Sequence, residues 1–164
     1  MKKHFLYFIL IISSIIGSSS CERDDICIDD TTPNFVLRFY DTDDPTDFKT
    51  VNQLSVKSDA TEIVGDSLVF TSLDSIGIPV NVTTNMTQYV VTINSNDITT
   101  LNRDTITINY MPQEIFVGRA CGFKSVFTNV TYTITNDSDN WIKSFEIVTE
   151  TIADETNAHI KIFH

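Results

Sequence analysis

The stretch Thr105-Ile106-Thr107-Ile108-Asn109-Tyr110 alternates apolar and polar side chains, which is the two-residue period of a half-buried β-strand. The same period recurs in residues 35–40, 76–82, 89–93 and 130–134. Threonine, valine and isoleucine dominate these runs, and β-branched side chains suit a pleated surface. Because no long segment carries an apolar stripe of helical period, the sequence predicts an all-β fold.

Polar turns separate the short apolar segments at intervals of about 10 to 12 residues. This spacing predicts an antiparallel β-sandwich of immunoglobulin-like architecture, with a small β-barrel as the alternative. The predicted strands are 35–40, 51–57, 67–71, 76–83, 88–94, 105–110, 114–119, 123–135, 141–151 and 158–163.

Prolines and glycines refine this prediction. Met111-Pro112 is predicted to form a turn. Pro79 predicts an edge strand or a strand break, because proline cannot donate to the hydrogen-bond ladder. Gly118 and Gly122 flank a short segment and predict a bulge or a tight turn there. Trp141, the only tryptophan, is expected to pack in the core near the end of a strand.

The first twenty residues have the three-part layout of a secretory signal peptide. Lys2 and Lys3 precede an apolar run over residues 5–16, and the small residues 17–20 follow it. The run is shorter than the roughly 20 residues that a membrane-spanning helix needs. Residues 1–20 are therefore predicted to be a signal peptide.

Cys21 follows Ser18-Ser19-Ser20, and this order resembles the lipobox of bacterial lipoproteins, whose cysteine is lipidated. The usual lipobox has leucine three residues before the cysteine and glycine or alanine directly before it, whereas serine stands at both positions here. The alternative is ordinary secretory cleavage, which leaves Cys21 as a free or paired thiol. The predicted organisation is a lipidated tether over residues 21–34 and a single β domain over residues 35–164.

The charge of the chain limits its partners. The 164 residues contain 11 basic and 22 acidic side chains, a formal net charge of −11. Removal of residues 1–20 takes away two lysines and no acidic residue, so the remaining part carries −13. This charge argues against nucleic acids and anionic membrane surfaces as electrostatic partners. The hydrophobic content of 41% is high enough for a packed core.

With Cys21 assigned to a lipid, Cys27 and Cys121 remain and can form a disulfide in an oxidising compartment. Two separate buried thiols are the alternative. A metal site is less favoured, because no CxxC motif and no nearby histidine pair accompanies these cysteines.

Four segments together resemble a family of flavobacterial lipoproteins, within the Bacteroidota, whose function is unknown. They are residues 21–27 (C-E-R-D-D-I-C, shared pattern C-E-x-D-D-I-C), 38–41 (R-F-Y-D), 119–124 (R-A-C-G-F-K) and 158–162 (A-H-I-K-I). The resemblance implies a single small extracytoplasmic domain and brings no assigned activity. The acidic residues after Cys21 are also similar to the surface-export signal of such lipoproteins, although a solvated tether explains them equally well. The predicted location is the outer membrane, lipid-anchored, on its periplasmic or cell-surface face.

Neither a metal site nor a catalytic site emerges from the sequence. The acidic residues 41–47 fail the helix-loop-helix calcium pattern, because Thr46 replaces its glycine and Asn52 its terminal glutamate, so a solvated turn is predicted. His159 is predicted to lie at the surface or rim of the domain. No catalytic residue and no cofactor is assigned.

Four hydroxyl residues follow an aspartate in a pattern that resembles the O-glycosylation sites of Bacteroidota. Turns at the entry to strands are the alternative explanation for these short motifs. The candidate acceptors are Thr31, Ser67, Ser75 and Thr105.

These observations favour an envelope-anchored, non-enzymatic binding or assembly module with an envelope protein or a glycan as partner, and no nucleic acid. An envelope hydrolase with a carboxylate-based site is the alternative. An accessory subunit of an outer-membrane complex is a third hypothesis. A hydrolase predicts paired, perturbed carboxylates in a concave pocket. A binding module instead predicts exposed aromatic side chains or a flat apolar patch.

Overall fold

The computed structural model describes residues 26–28, 31–58, 67–135 and 137–164, in which all regular secondary structure is β-strand. No helix in these residues is long and apolar enough to cross a membrane. The predicted signal peptide and the predicted lipidation of Cys21 lie outside the described residues. Nine strands are described: β1 Phe35–Tyr40, β2 Val51–Ser58, β3 Ser67–Leu73, β4 Ser75–Ile78, β5 Met86–Ile93, β6 Asn102–Gly118, β7 Gly122–Ile134, β8 Ser144–Ile147 and β9 Ile160–Phe163.

The strands form two sheets that pack on each other as a β-sandwich, which confirms the predicted fold class. The strand order is β4-β1-β9-β8 in the four-stranded sheet and β3-β2-β5-β6-β7 in the five-stranded sheet. The sheets are separate, each with two edge strands, as in a sandwich and unlike a closed barrel.

One strand pair departs from the antiparallel pattern. β1 and β9 are parallel, with Leu37 opposite Ile160, whereas the other strand pairs in the described residues are antiparallel. A parallel pair needs a long connection, and nearly the whole sequence of the domain lies between these two strands. β9, the last strand, therefore lies beside β1, the first strand, in the middle of the four-stranded sheet.

The predicted turn at Met111-Pro112 is wrong, because β6 runs through it without ending. Pro112 lies opposite Phe127 of β7, directly after a register shift between Asn109 and Met111. A proline is tolerated beside such a bulge, since the regular ladder is already interrupted there. The predicted strands 105–110 and 114–119 are therefore one strand, and β6 and β7 form a long hairpin.

Three other predicted strands are shorter in the structure, and the one predicted over 158–163 begins only at Ile160. The strand predicted over 76–83 ends at Ile78, so Pro79 acts as the predicted break, and β4 is an edge strand. The strand predicted over 141–151 is reduced to β8, because the chain around Ile152 turns to pair with Phe127 at the outer edge of β7. Their backbone groups exchange two hydrogen bonds of 3.0 and 2.8 Å.

The core lies between the sheets and is built from alternate strand residues. In β1, Phe35, Leu37 and Phe39 are buried, while the residues between them are half-buried. Trp141 packs against Phe39 with ring centroids 6.3 Å apart and donates its indole N–H to the carbonyl of Val91 at 3.2 Å. A buried indole needs such an acceptor, so this bond fixes the chain before β8 to the five-stranded sheet.

His159 is buried, and the predicted surface position is wrong. Its side chain is 3% exposed, and its Nδ1 accepts the backbone N–H of Val36 at 2.9 Å. Its own backbone N–H donates to the carbonyl of Val36 at 2.8 Å, so His159 satisfies both backbone groups of that residue. The prediction placed His159 inside a strand over 158–163, on the face opposite Ile160. β9 begins only at Ile160, so the two-residue period does not apply to His159.

Burial lowers the pKa of His159 below its ordinary value of 6.5, although nearby Asp154 and Glu155 oppose the shift. As the pH falls through 6.5, the unfolded chain therefore binds a proton at His159 before the folded chain does. Protonation also removes the lone pair that accepts the Val36 N–H. Stability should consequently fall as the pH decreases.

We predict that the free energy of unfolding decreases from about pH 7.5 to about pH 5.5, and that His159→Asn removes part of this decrease. Asparagine offers an acceptor for the Val36 N–H but does not titrate. Urea denaturation at a series of pH values measures both effects. His164→Asn is the control. Burial also lowers the pKa of His164, so this variant removes the contribution of His164 to the pH dependence and leaves that of His159 intact. An unchanged pH dependence in His159→Asn would contradict the assignment.

Candidate functional site

The predicted disulfide is present and joins Cys27 to Cys121, with their Cα atoms 4.9 Å apart. Cys121 lies in the turn between β6 and β7. Gly122 follows it with a φ of 70°, a left-handed conformation that glycine adopts without strain, so the predicted tight turn is confirmed. The bridge fixes the N-terminal segment to the tip of the longest hairpin.

Further contacts hold the end of the predicted tether against the β domain. Thr32 accepts the backbone N–H of Ser125 through its hydroxyl at 2.9 Å, and Pro33 is buried. Asn34 donates its backbone N–H and its side-chain amide to Glu155 at 2.8 and 3.0 Å. Residues 31–34 therefore lie along the domain and connect the bridge at the hairpin tip to the start of β1.

The hairpin extends beyond the sandwich core. We call residues 111–118 of β6 and 122–125 of β7 the hairpin arm. Residues 104–110 of β6 are buried at alternate positions, but residues 111–116 are exposed on both faces. Phe116 and Phe123 lie opposite each other on the arm with ring centroids 5.3 Å apart, and they remain 58% and 66% exposed. An exposed aromatic pair contributes little to the core and is typical of a contact surface.

Sequence reasoning did not single out this pair. Both phenylalanines fell inside predicted strands, where alternation shows that residues share a face but not whether another sheet covers it. Their closeness to the predicted turn at Gly118 and Gly122 was the available signal. The register shift between Phe116 and Gly118, which places Phe116 opposite Phe123, has no signal in the local pattern.

The edge strand β3 is a second exposed apolar surface. Leu68 and Phe70 pair with Val56 and Leu54, which are buried core residues, so they face the core side of the five-stranded sheet. Val69 points to the other face and is 61% exposed. Within the described part of the chain, β3 pairs only with β2. In the described residues, the other edge of β3 has no strand partner.

Three aspartates stabilise turns through the same pair of hydrogen bonds. Asp44, Asp97 and Asp154 each accept the backbone N–H and the hydroxyl of the threonine two residues later, at distances from 2.5 to 3.2 Å. Asn81 makes the same pair of bonds with Thr83. These hydrogen bonds lower the pKa of Asp97 and Asp154. The repeated Asp/Asn-x-Thr triplet is a turn signal that the sequence reasoning missed.

The acidic segment 41–47 is held in the same way. Asp41 accepts the backbone N–H of Asp43 at 2.9 Å and forms an ion pair with Lys49 at 3.6 Å. Both contacts lower the pKa of Asp41, the backbone hydrogen bond most strongly. Among the described residues, no group of three acidic, histidine or cysteine side chains is arranged to hold a metal ion.

Two carboxylates that line a cavity, and one buried carboxylate, are also engaged in structural contacts. A shallow cavity of about 260 Å³ is lined by Asp154 and Glu155, but Asp154 holds its turn and Glu155 holds Asn34. Asp104, whose pKa burial raises, is 2% exposed and accepts the N–H of Ile142 at 2.7 Å. Asp104 therefore anchors a loop, and these contacts do not favour the carboxylate-based hydrolase.

The four candidate glycosylation sites differ in access. Thr31 and Ser67 are exposed. Ser75 is half-buried and donates its hydroxyl to the carbonyl of Leu37 at 3.2 Å, and Thr105 is half-buried within β6, opposite Val90. Glycosylation itself stays a prediction, and access favours Thr31 and Ser67.

We predict that Cys27→Ala combined with Cys121→Ala lowers the free energy of unfolding by roughly 4 kcal/mol, because the bridge closes a long loop in the unfolded chain. The two cysteines are 94 residues apart in sequence. Urea denaturation measures the change. Wild-type protein treated with reductant is the control and should match the double variant. A loss below about 1 kcal/mol would mean that the bridge adds little constraint.

Residues 53–164, more than half of the chain, match the family model described as a family of unknown function, DUF6452. No curated protein and no solved structure matches the chain. The matched span includes the hairpin arm and Cys121. The chain belongs to the family of unknown function DUF6452.

Proposed function

We propose that the protein is a lipoprotein anchored in the outer membrane, and that its sandwich is a non-enzymatic binding or assembly module. The order of charged, apolar and small residues before Cys21 supports the anchor. The Cys27–Cys121 bridge supports export, because disulfides persist in oxidising compartments.

The binding role rests on the edge of β3 that has no strand partner in the described residues. An exposed strand edge presents backbone groups to which an extended segment can pair, and the side chains on its faces give selectivity. Leu68 and Val69 supply exposed apolar contacts on opposite faces of this strand. The partner that fits such an edge is a protein that adds a strand. This partner also agrees with an accessory role in a larger envelope complex.

We predict that native protein from a bacterium with lipoprotein processing carries a lipid on Cys21 and fractionates with membranes. Cys21→Ser should release the protein into the soluble fraction, because serine lacks the thiol that is modified. Intact mass and membrane fractionation measure the result. Ser20→Ala is the matched control, since it keeps Cys21 and places a usual lipobox residue before it. An unmodified Cys21 in the native protein would contradict the anchor.

We predict that a photo-crosslinking residue at exposed Thr71 of β3 captures an extended peptide of a partner protein in intact cells. Val69→Lys should abolish this crosslink, because lysine opposes the addition of a strand at an edge. Since Val69 is exposed, the free energy of unfolding should change by no more than about 0.5 kcal/mol.

Val82→Lys is the matched control, since Val82 is another exposed valine and lies in the loop after β4. It should leave the crosslink intact. Equal loss in both variants, or a crosslink to glycan alone, would contradict strand addition at β3.

A further inference from the structure

We propose that the tip of the hairpin arm rests on the lipid surface and sets the orientation of the sandwich, an inference that rests on the proposed anchor at Cys21. The contact is made by four exposed apolar side chains around the disulfide, which we call the tip patch. They are Ile26, Ile28, Phe116 and Phe123.

Chain length places the tip near the membrane. Cys27 is six residues after Cys21, so even a fully extended chain separates their Cα atoms by no more than about 20 Å. The disulfide continues this path to Cys121, whose Cα lies 4.9 Å from that of Cys27. A lipid on Cys21 therefore keeps the turn of the β6–β7 hairpin within a short distance of the lipid headgroups.

The tip patch has the composition for contact with lipid. Ile26 and Ile28 flank Cys27 and are 81% and 90% exposed. Phe116 and Phe123 add an aromatic pair within a few residues of Cys121. Apolar side chains that stay exposed in the folded domain gain most from transfer out of water, so the lipid interface is a favourable environment for this set.

Two basic residues accompany the patch. Arg119 is exposed in the turn, and Lys124 follows Phe123 in β7. Long basic side chains can reach headgroup phosphates while their neighbours enter the apolar layer. Acidic residues are also near, with exposed Glu114 on the arm and Glu22, Asp24 and Asp25 before Ile26 in the sequence. The apolar side chains therefore carry the contact, and the two basic residues offset nearby negative charge.

This contact would direct the opposite end of the sandwich away from the membrane. β6 has 17 residues and extends roughly 50 Å from the tip to its start. The loop over residues 94–101, which precedes β6, would then lie at the end of the domain that faces away from the lipid. The edge of β3 would stay accessible at the side of the domain.

Depth-dependent quenching of a tip tryptophan tests the contact. Phe123→Trp in a Trp141→Phe background places the only tryptophan at the tip, and Ile98→Trp in the same background places it in the 94–101 loop. Each lipidated full-length protein is reconstituted in phosphatidylethanolamine–phosphatidylglycerol vesicles that contain acyl-brominated phospholipid. We expect the tip tryptophan to shift to the blue and lose most of its emission, whereas the loop tryptophan should do neither. If Trp141→Phe does not fold, Phe123→Trp and Ile98→Trp are made in the wild-type background. Buried Trp141 then serves as an unquenched reference in both variants.

Failure of the anchor and failure of the tip contact are separable. If native Cys21 lacks a lipid, the anchor is refuted, and the tip contact is then tested by coupling the Cys21 thiol to a maleimide phospholipid. Absent or equal quenching of the two tryptophans overturns the tip contact in either preparation. A dimer in solution that depends on Phe123 and leaves the tip tryptophan unquenched also overturns it.

Discussion

The Cys27–Cys121 disulfide connects the N-terminal segment to the far end of the longest hairpin in the sandwich. Apart from this bond, the described residues before β1 are held to the domain by the contacts of Thr32, Pro33 and Asn34. With it, any group attached at Cys21 stays near the turn between β6 and β7. The position of one covalent bond thus decides which end of the domain faces the attachment point.

The hairpin itself divides into a structural half and an exposed half. Up to Tyr110, β6 contributes alternate residues to the core, and Tyr110 packs edge-on against Phe127 of β7. Past the bulge before Met111, the strand leaves the sandwich and both of its faces meet solvent. A bulge changes the direction and twist of a strand, which allows one hairpin to serve the core and an external contact. The aromatic pair Phe116–Phe123 lies in the exposed half.

The sequence predicted what depends on local pattern and simple counting. Alternation identified the core positions Ile106 and Ile108, and an even number of cysteines after the assignment of Cys21 predicted the bridge. It failed where distant parts of the chain decide the outcome. His159 is buried because it completes the hydrogen bonds of Val36, which lies more than a hundred residues away. Likewise, the exposure of Phe116 depends on where the opposing sheet ends, and no local period contains that information.

The orientation of the domain at its attachment point depends on the pairing of Cys27 with Cys121 in the protein that the cell makes. Alkylation of the native protein after denaturation without reductant, followed by peptide mass mapping, measures this pairing directly. We predict a linked peptide pair that contains Cys27 and Cys121, with neither thiol alkylated. Alkylation of both Cys27 and Cys121 would show that the bridge does not form in the cell.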